Sequence, residues 1–441
     1  MSFPKYSDYS KSETSWSPSI PSNWKVLPAK RGFNRRKELN TGMKCGNRLS
    51  LTLNGVLPRS LDDLDGLQAS EFETYQVFQK DELVFKLIDL QNIKTSRVGL
   101  VHEEGIMSPA YIRLEPNKSL VFPRYAYWFF TDLYKREVFN KLGEGVRQTL
   151  GPEELLALPF FYPTLEEQKK IVNFLDHETL KIDKLVTEQE KLIELLKEKR
   201  QAVISNAVTK GLNPNVKMKN SGVVWLGDIP DHWGVRAIKH IVSTPVTDGP
   251  HETPEFFDDG VPFVSAEAVS SGEIDFSKIR GYISLESHKQ YSLKYLPKKG
   301  DIFMIKSGAT TGVTAIVETD QEFNIWSPLA VVRCNAESNP YYVLNFMRSL
   351  NFQEAVALNW NFGTQQNIGM GVIENLFCPV PSQQEQKAIA EYLTSFTKQF
   401  NTLISEANNA IELLKERRSA LISAAVTGQI DVRNYQPKEA A

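Results

Sequence analysis

The strongest constraint on the fold is that the chain nearly repeats itself. PTLEEQKKI at residues 163 to 171 returns as PSQQEQKAI at 381 to 389, an offset of 218 residues from Pro163 to Pro381. Pro163, Glu167, Gln168, Lys169 and Ile171 recur as Pro381, Glu385, Gln386, Lys387 and Ile389. The register then holds without a gap through IELLKEKRQAVISNAVT (193 to 209) and IELLKERRSALISAAVT (411 to 427). Self-similarity at a fixed period marks one structural unit built more than once. Each half also opens alike: Trp16, Ile20, Pro21 and Trp24 return as Trp225, Ile229, Pro230 and Trp233, here offset by 209, so the second repeat carries nine more residues before its shared tail. The repeat is therefore an aromatic-proline opening, a variable globular part and a constant tail.

The tails read as long helices. Thr164 with Glu167, and Ser382 with Glu385, each after a proline, fit a capping box, in which a hydroxyl and a carboxylate satisfy orphan N–H groups at a helix start. Neither tail contains Gly or Pro before 209 or 427, and about 45 residues at ~1.5 Å each predict a rod of roughly 65 to 70 Å. Steps of four and three from Ile171 meet Leu175, Ile182, Leu185, Leu192, Leu196 and Val203, with Glu178, Gln189 and Lys199 as polar exceptions. The same frame in the second tail meets Ile389, Leu393, Phe396, Phe400, Leu403, Ala407, Ala410, Leu414 and Leu421. One such stripe is ordinary core packing; two in identical register predict a coiled-coil seam between the tails. Only about sixteen residues separate Thr209 from Trp225, too few to return along such a rod, so the tails are expected to run antiparallel. The predicted fold class is α/β: two mixed α/β domains separated by two long antiparallel coiled-coil helices, related by a pseudo-twofold internal repeat.

The variable parts carry the β content. In the second, VPFVSAEAV, GDIFMIK, GVTAIVE and LAVVRC are apolar or alternating runs between turn residues, as in strands. NPYYVLNFMRSLNFQEAVAL reads as a helix with Asn339 as cap and Pro340 at its first position. In the first, ELVFKLIDL, RVGLVHEEG and AYIRLEP precede a helix near RYAYWFFTDLYKREVFNKL. Ser108 and Pro109 answer Ser327 and Pro328, and Gly145, Gln148 and Gly151 answer Gly363, Gln366 and Gly369. The expected boundaries are 1–162 and 213–380 for the globular domains, 163–212 and 381–430 for the helices, and 431–441 for a tail.

Composition narrows the function classes. No apolar run is long enough to span a bilayer and the opening residues lack a signal-peptide core, so the expected location is the cytoplasm. Cys45, Cys334 and Cys378 are far apart, with neither a disulfide framework nor metal-ligand spacing, and are expected to be reduced. A formal net charge of −2 gives no global attraction to nucleic acid, so any DNA binding must use local basic patches or a partner.

The paired openings IPSNW and IPDHW, the stretch DGPHETPEF at 248 to 256, the SGATTG loop at 307 to 312, the GTQQNIG loop and the P-x-x-x-EQ helix starts together resemble the specificity subunit of type I restriction-modification enzymes. The resemblance covers nearly the whole chain. It implies two target-recognition domains that each read one half of a bipartite sequence in double-stranded DNA, and conserved helices that fix the separation and carry two methyltransferase subunits. Restriction and translocase subunits would join through that complex, and S-adenosylmethionine, ATP and Mg would reside on partners and not on this chain. The first domain has no counterpart of DGPHETP, and DELVFKLID at 81 to 89 replaces GDIFMIKSG, so the two half-sites are expected to differ.

Candidate DNA contacts follow from residue chemistry. KRGFNRRKELNTGMKCGNR, 30 to 48, holds Lys30, Arg31, Arg35, Arg36, Lys37, Lys44 and Arg48 against only Glu38; charge runs are usually solvated faces, but this mixture of arginine, asparagine and glycine suits phosphate and guanine. Thr310 and Thr311 between glycines fit a simple strand-joining turn. The resemblance makes Lys306, Ser307, Thr310 and Thr311 phosphate or base-edge candidates. Gln365, Gln366 and Asn367 carry amides able to bond adenine bidentately, and Arg147 and Gln148 stand in the corresponding place in the first domain. Asp248 and His251 lie in the DGPH loop; a lone histidine is more often structural.

Two motifs are false friends. NPYY at 339 to 342 lacks the second proline of the adenine-methyltransferase signature, and SGATTGVT lacks the lysine of a P-loop. No nucleophile–base constellation appears, so no intrinsic catalysis is expected. The competing readings are a fused enzyme that methylates DNA alone and a scaffold that uses its coiled coil only for assembly.

Overall fold

The computed structural model describes residues 3–63, 71–88, 90, 97–142, 149–362 and 366–437. The chain divides into two compact units, residues 1–189 with 409–441, and residues 190–408. The first long helix runs Leu165–Lys210 and the second Gln383–Val426, so each unit combines a globular part with a stretch of both helices. Among the described residues, no helix is long and apolar enough to cross a membrane.

In the first unit, a four-stranded antiparallel sheet has the order Phe33–Arg35, Ile112–Pro116, Leu83–Phe85, Val98–Leu100. A second sheet orders Gly55–Arg59, Arg48–Thr52, Gly105–Met107 and Gln76–Phe78. The helix Pro123–Lys135 buries Tyr125, Phe129 and Phe130 against Phe33, Phe85 and Phe160. Most of these rings meet edge to face, such as Phe85 and Phe130 at a centroid distance of 5.1 Å, the arrangement their quadrupoles favour.

The second unit repeats the plan. Its antiparallel sheet has the order Thr247–Asp248, Leu329–Val332, Ile302–Ile305, Thr314–Ile316. Asn339 caps the helix Pro340–Met347 through Oδ1, which accepts from Tyr341 N–H at 2.9 Å and Tyr342 N–H at 3.1 Å. Tyr342 is buried, with its hydroxyl donating to the carbonyls of Val208 and Pro379, which accounts for NPYY as a packing motif. Cys45, Cys334 and Cys378 are unpaired thiols; burial, helped by Asp301, pushes the Cys334 thiol up to about 12.

The same side chains anchor both helix starts. Gln168 donates from Nε2 to the carbonyls of Leu120 and Pro163 and accepts from Phe122 N–H. Gln386 donates to Glu337 and Pro381 and accepts from Asn339 N–H. The glutamine of the EQ pair thus ties each long helix to the start of the helix that begins at Pro123 in the first unit and at Pro340 in the second. The expected capping box is only half made: Thr164 Oγ1 and Ser382 Oγ accept from the N–H groups of Glu167 and Glu385 at 3.3 Å, but the carboxylates are used elsewhere. Glu167 accepts from Trp24 Nε1 at 3.0 Å and the Tyr6 hydroxyl at 2.7 Å, because a buried indole and phenol need an acceptor more than an exposed helix end does. Glu385 meets His232 Nε2 at 3.0 Å instead.

Within each unit the two helices run antiparallel. In the first, Tyr435, just beyond the second helix, packs on Phe174 and His177, while Arg418 further back bonds Asp183 further forward. In the second, Arg200 bonds Asn401 while Gly211 lies beside Glu385. Ile171, Leu175, Ile182, Ile389, Leu393, Phe400 and Leu421 are buried as expected, and Leu196, Val203, Phe396 and Leu414 are partly buried.

The seam differs from the expected frame at positions 185, 192 and 403. Leu185, Leu192 and Leu403 are 45, 42 and 45% exposed, while Ile193 and Ile411 are 7 and 6% exposed and Val186 and Ile404 are partly buried. Positions 182, 189, 196 and 203 are common to both phasings, and the steps between them run four then three. Adjacent apolar residues lie about 100° apart on a helix, so only one of each pair can face the partner. Here the β-branched neighbour faces inward, and the slip occurs identically in both repeats.

Candidate nucleic-acid interface

In the second unit the fold brings three sequence-distant loops together. Strand Ile302–Ile305 ends at Lys306, whose N–H donates to Pro328 O at 2.8 Å and whose carbonyl accepts from Ile368 N–H at 2.9 Å. Ser307 bridges Asn367, and Gly308 N–H donates to Gln366 O at 3.0 Å. The 306–312 loop and the 366–367 strand therefore form one ledge. Gly312 has a φ of +96° and a Cβ there would meet Gln353 Oε1 at 2.4 Å, so the loop turns as tightly as it does only with glycine.

The strand Thr247–Asp248 brings the DGPH loop to the same ledge. Gly249 is required because a Cβ would sit 1.9 Å from Ile325 O. Asp248 is fully buried, with Oδ1 2.6 Å from Lys294 Nζ, and Oδ2 3.3 Å from Lys306 Nζ and 3.1 Å from His251 Nε2. Burial alone would raise the Asp248 carboxyl, but the hydrogen bond and charge of Lys294, reinforced by Lys306, outweigh it and hold the group below its usual range.

The predicted contacts separate by placement. Thr310, His251 and Asn367 are exposed, and Ser307 and Gln366 are partly so. Thr311 spends its hydroxyl inside the loop, donating to Gly308 O at 2.7 Å, so it acts as a turn residue. Asp248, expected as a direct contact, is fully buried, with its carboxylate turned to Lys294, Lys306 and His251. Gln365, Arg147 and Gln148 lie outside the described residues. One partner escaped sequence reading: Lys294, which lies 46 residues from Asp248. No local pattern marks it.

In the first unit the basic run spans a short helical turn, an edge strand and the turn after it, with Lys30, Arg31, Arg35, Arg36, Lys37 and Lys44 exposed. Its acids come from elsewhere in the chain: Arg36 Nε is 2.6 Å from Glu115 and Arg35 Nη1 is 3.7 Å from Glu153, while Lys44 is 4.0 Å from Glu38. Exposed pairs of this kind are worth only about 0.2–1 kcal/mol, so a phosphate can displace them. Arg48 departs from the expected DNA contact. It is buried, donates to the carbonyls of Ser60 and Asp63 at 3.0 Å, and lies 5.3 Å over the Phe72 ring, so it braces the second sheet.

Behind both surfaces stands the same internal brace. Arg113 clamps Glu82 bidentately at 2.6 and 2.8 Å, and Arg333 clamps Asp301 at 2.7 Å through both nitrogens. Glu82 and Asp301 each immediately precede the matching strand of their sheet. Two units with one frame thus carry different exposed chemistry.

A family model described as the type I restriction modification DNA specificity domain matches residues 230–413. The type I restriction enzyme EcoBI specificity subunit of Escherichia coli is 26% identical over 277 residues, covering 61% of this chain and 57% of the relative's length. The MjaVIII specificity subunit of Methanocaldococcus jannaschii is 24% identical over 342 residues, covering 75% of this chain and 76% of its own. The match to the first of these relatives therefore spans little more than half of its length. Among solved structures, the HsdS subunit from Thermoanaerobacter tengcongensis superposes with a TM-score of 0.54 at 14% identity, covering 93% of this chain and 98% of that one. A chain from a study of complex assembly and conformational transition of the type I R-M system reaches a TM-score of 0.69 at 15% identity, covering 93 and 99%; at such identities the likeness establishes the fold. Repeat, fold and relatives agree: residues 230–413 match the type I DNA specificity domain, and the chain as a whole is similar to specificity subunits of type I restriction-modification enzymes.

Proposed function

We propose that this chain is the DNA sequence-recognition subunit of a type I restriction-modification complex, without a catalytic site of its own, and that each globular part reads one half of a bipartite, asymmetric target. The observation that carries the reading is one plan built twice with unlike surfaces: an arginine-rich edge at 31–44 in the first unit, and a lysine and amide ledge at 248–251, 294, 306–310 and 366–367 in the second. Unlike surfaces on like frames suit two different short sequences, since base edges are read by side chains while the frame positions them.

In this reading the long helices set the gap between half-sites and dock two methyltransferase subunits. The leucines turned out of the seam suit docking: Leu185 and Leu413 in the first unit, Leu403 and Leu195 in the second, all at least 45% exposed. They are the same two positions in each repeat, so the chain offers one apolar surface twice. Restriction and translocase subunits join through that assembly, and S-adenosylmethionine, ATP and Mg are held on those partners. With a net charge of −2, the isolated chain binds DNA weakly and the partners supply much of the phosphate neutralisation.

Single-molecule sequencing of methylated host DNA, combined with gel shifts of the chain with its methyltransferase partner, tests the reading. A bipartite, asymmetric methylated motif that the complex retards is expected. Absence of sequence-dependent binding would favour a scaffold, and methyl transfer by the purified chain alone would make it an enzyme.

A further inference from the structure

Asp248 is surrounded by more positive charge than it can neutralise. One ammonium group would pair a buried carboxylate, yet this one holds Lys294 at 2.6 Å and Lys306 at 3.3 Å, with the His251 imidazole at 3.1 Å. Lys294 spends two donors, on Asp248 Oδ1 and on Gly249 O at 3.1 Å. Its third remains, on a side chain 47% exposed. Glu252, the neighbour of His251, is engaged with the Tyr291 hydroxyl.

The surplus charge has a fixed address. Lys306 is the residue whose backbone is pinned to Pro328 on one side and Ile368 on the other, and its neighbour Ser307 bridges the exposed Asn367. An anion held by the two ammonium groups therefore lies beside the amide edge offered by Gln366 and Asn367. The helix Leu285–Ser292 delivers Lys294 two residues past its end.

We infer that Lys294 and Lys306, assisted by His251, form a clamp for a DNA backbone phosphate beside the amides that read the second half-site, and that Asp248 is the positioning residue that holds the two ammonium groups at the clamp. The inference rests on the DNA-reading proposal and divides labour within it. The lysines set register and affinity, and the amides set sequence. A cluster that only stapled the fold would need a single lysine and would not respond to DNA.

The test uses the full chain assembled with its methyltransferase partner and two fluorescent duplexes, one carrying the motif found by methylome sequencing and one with that motif scrambled. Affinity is measured between 50 and 200 mM salt. Releasing one phosphate contact lowers the log–log salt slope by about 1, so the Lys294→Ala penalty should be about four times larger at 50 than at 200 mM. The penalty should be equal on both duplexes, and Lys294→Arg should restore the slope. Lys294→Ala/Lys306→Ala should lower it by about 2. Asp248→Asn combined with Lys294→Ala should cost no more than Asp248→Asn alone, because an unheld Lys294 no longer contributes. An unchanged slope in Lys294→Ala, or a loss confined to the motif duplex, overturns the clamp. Equal binding of both duplexes by the wild-type complex overturns the DNA-reading proposal instead, while the slope comparison still decides the clamp.

Discussion

Arg418 donates to both carboxylate oxygens of Asp183, from Nε at 2.9 Å and from Nη2 at 3.4 Å, so a seam position of the first unit carries an ion pair between the two long helices. The equivalent residues in the second unit are Arg200 and Asn401, where the arginine meets a neutral amide. Asn401→Asp should therefore convert the second contact into an ion pair and stabilise the fold by a few tenths of a kcal/mol, and Asp183→Asn should cost a similar amount. Urea unfolding at low and high salt checks both, since the difference should shrink as salt screens the exposed pair.

The phase of the seam makes a sharper prediction. Ile193→Ala removes a buried side chain and should cost about 2–5 kcal/mol, whereas Leu192→Ala at the exposed neighbour should stay within about 0.5 kcal/mol. Thermal unfolding of the two variants compares them directly; equal costs would show the wrong residue facing the partner helix.

Leu185→Asp and Leu403→Asp should leave the melting transition nearly unchanged, since both side chains are exposed. Each should weaken binding of one methyltransferase copy, and the double variant should weaken both. Native mass spectrometry of the reconstituted complex reads the stoichiometry, and full occupancy in the double variant would remove the helices' outer face from the docking account.

Glu167→Ala leaves the Trp24 indole and the Tyr6 hydroxyl without their acceptor, and a buried donor without a partner costs about 1–3 kcal/mol. Glu385→Ala should cost less, because its partner His232 is exposed. The two repeats thus differ in how much their openings depend on the same motif residue.

The C-terminal tail offers a pH test. Tyr435 donates to Glu178 at 2.6 Å. Burial by itself would raise the Glu178 carboxyl, but the Tyr435 and Lys181 hydrogen bonds outweigh it and hold it below its usual value of 4.5. A depressed carboxylate stabilises the folded state fully above that usual value and loses its contribution as pH falls through the folded-state value. Hydrogen exchange in residues 430–437 should therefore be flat from pH 7 to 5, after correction for intrinsic rates, and gain an extra opening below about pH 4.5. Tyr435→Phe should abolish that extra opening.

Much of the architecture is legible because repetition is a property of sequence itself. The 218-residue offset exposes both long helices and their pairing before any coordinate is known. The seam's phase is not, because Leu185 beside Val186 and Leu192 beside Ile193 satisfy either alternation, and only packing chooses between neighbours 100° apart. The candidate site follows the same division. Glycine-flanked loops announce themselves, but the Asp248 cluster joins residues 248 and 306 through sheet order and 294 from the end of a helix, which no local pattern encodes. Likewise the acids that pair the first unit's arginines, Glu115 and Glu153, lie far along the chain from the run they neutralise.

The central proposal is that the two long helices measure the gap between two half-sites. Removing one heptad from each helix in matched antiparallel register preserves the seam and shortens the pair by about 10 Å, equivalent to roughly 3 base pairs. Methylome sequencing of a strain carrying that variant should show both half-sites unchanged and the gap between them reduced by about that many base pairs. Methylation at the original gap would contradict the account.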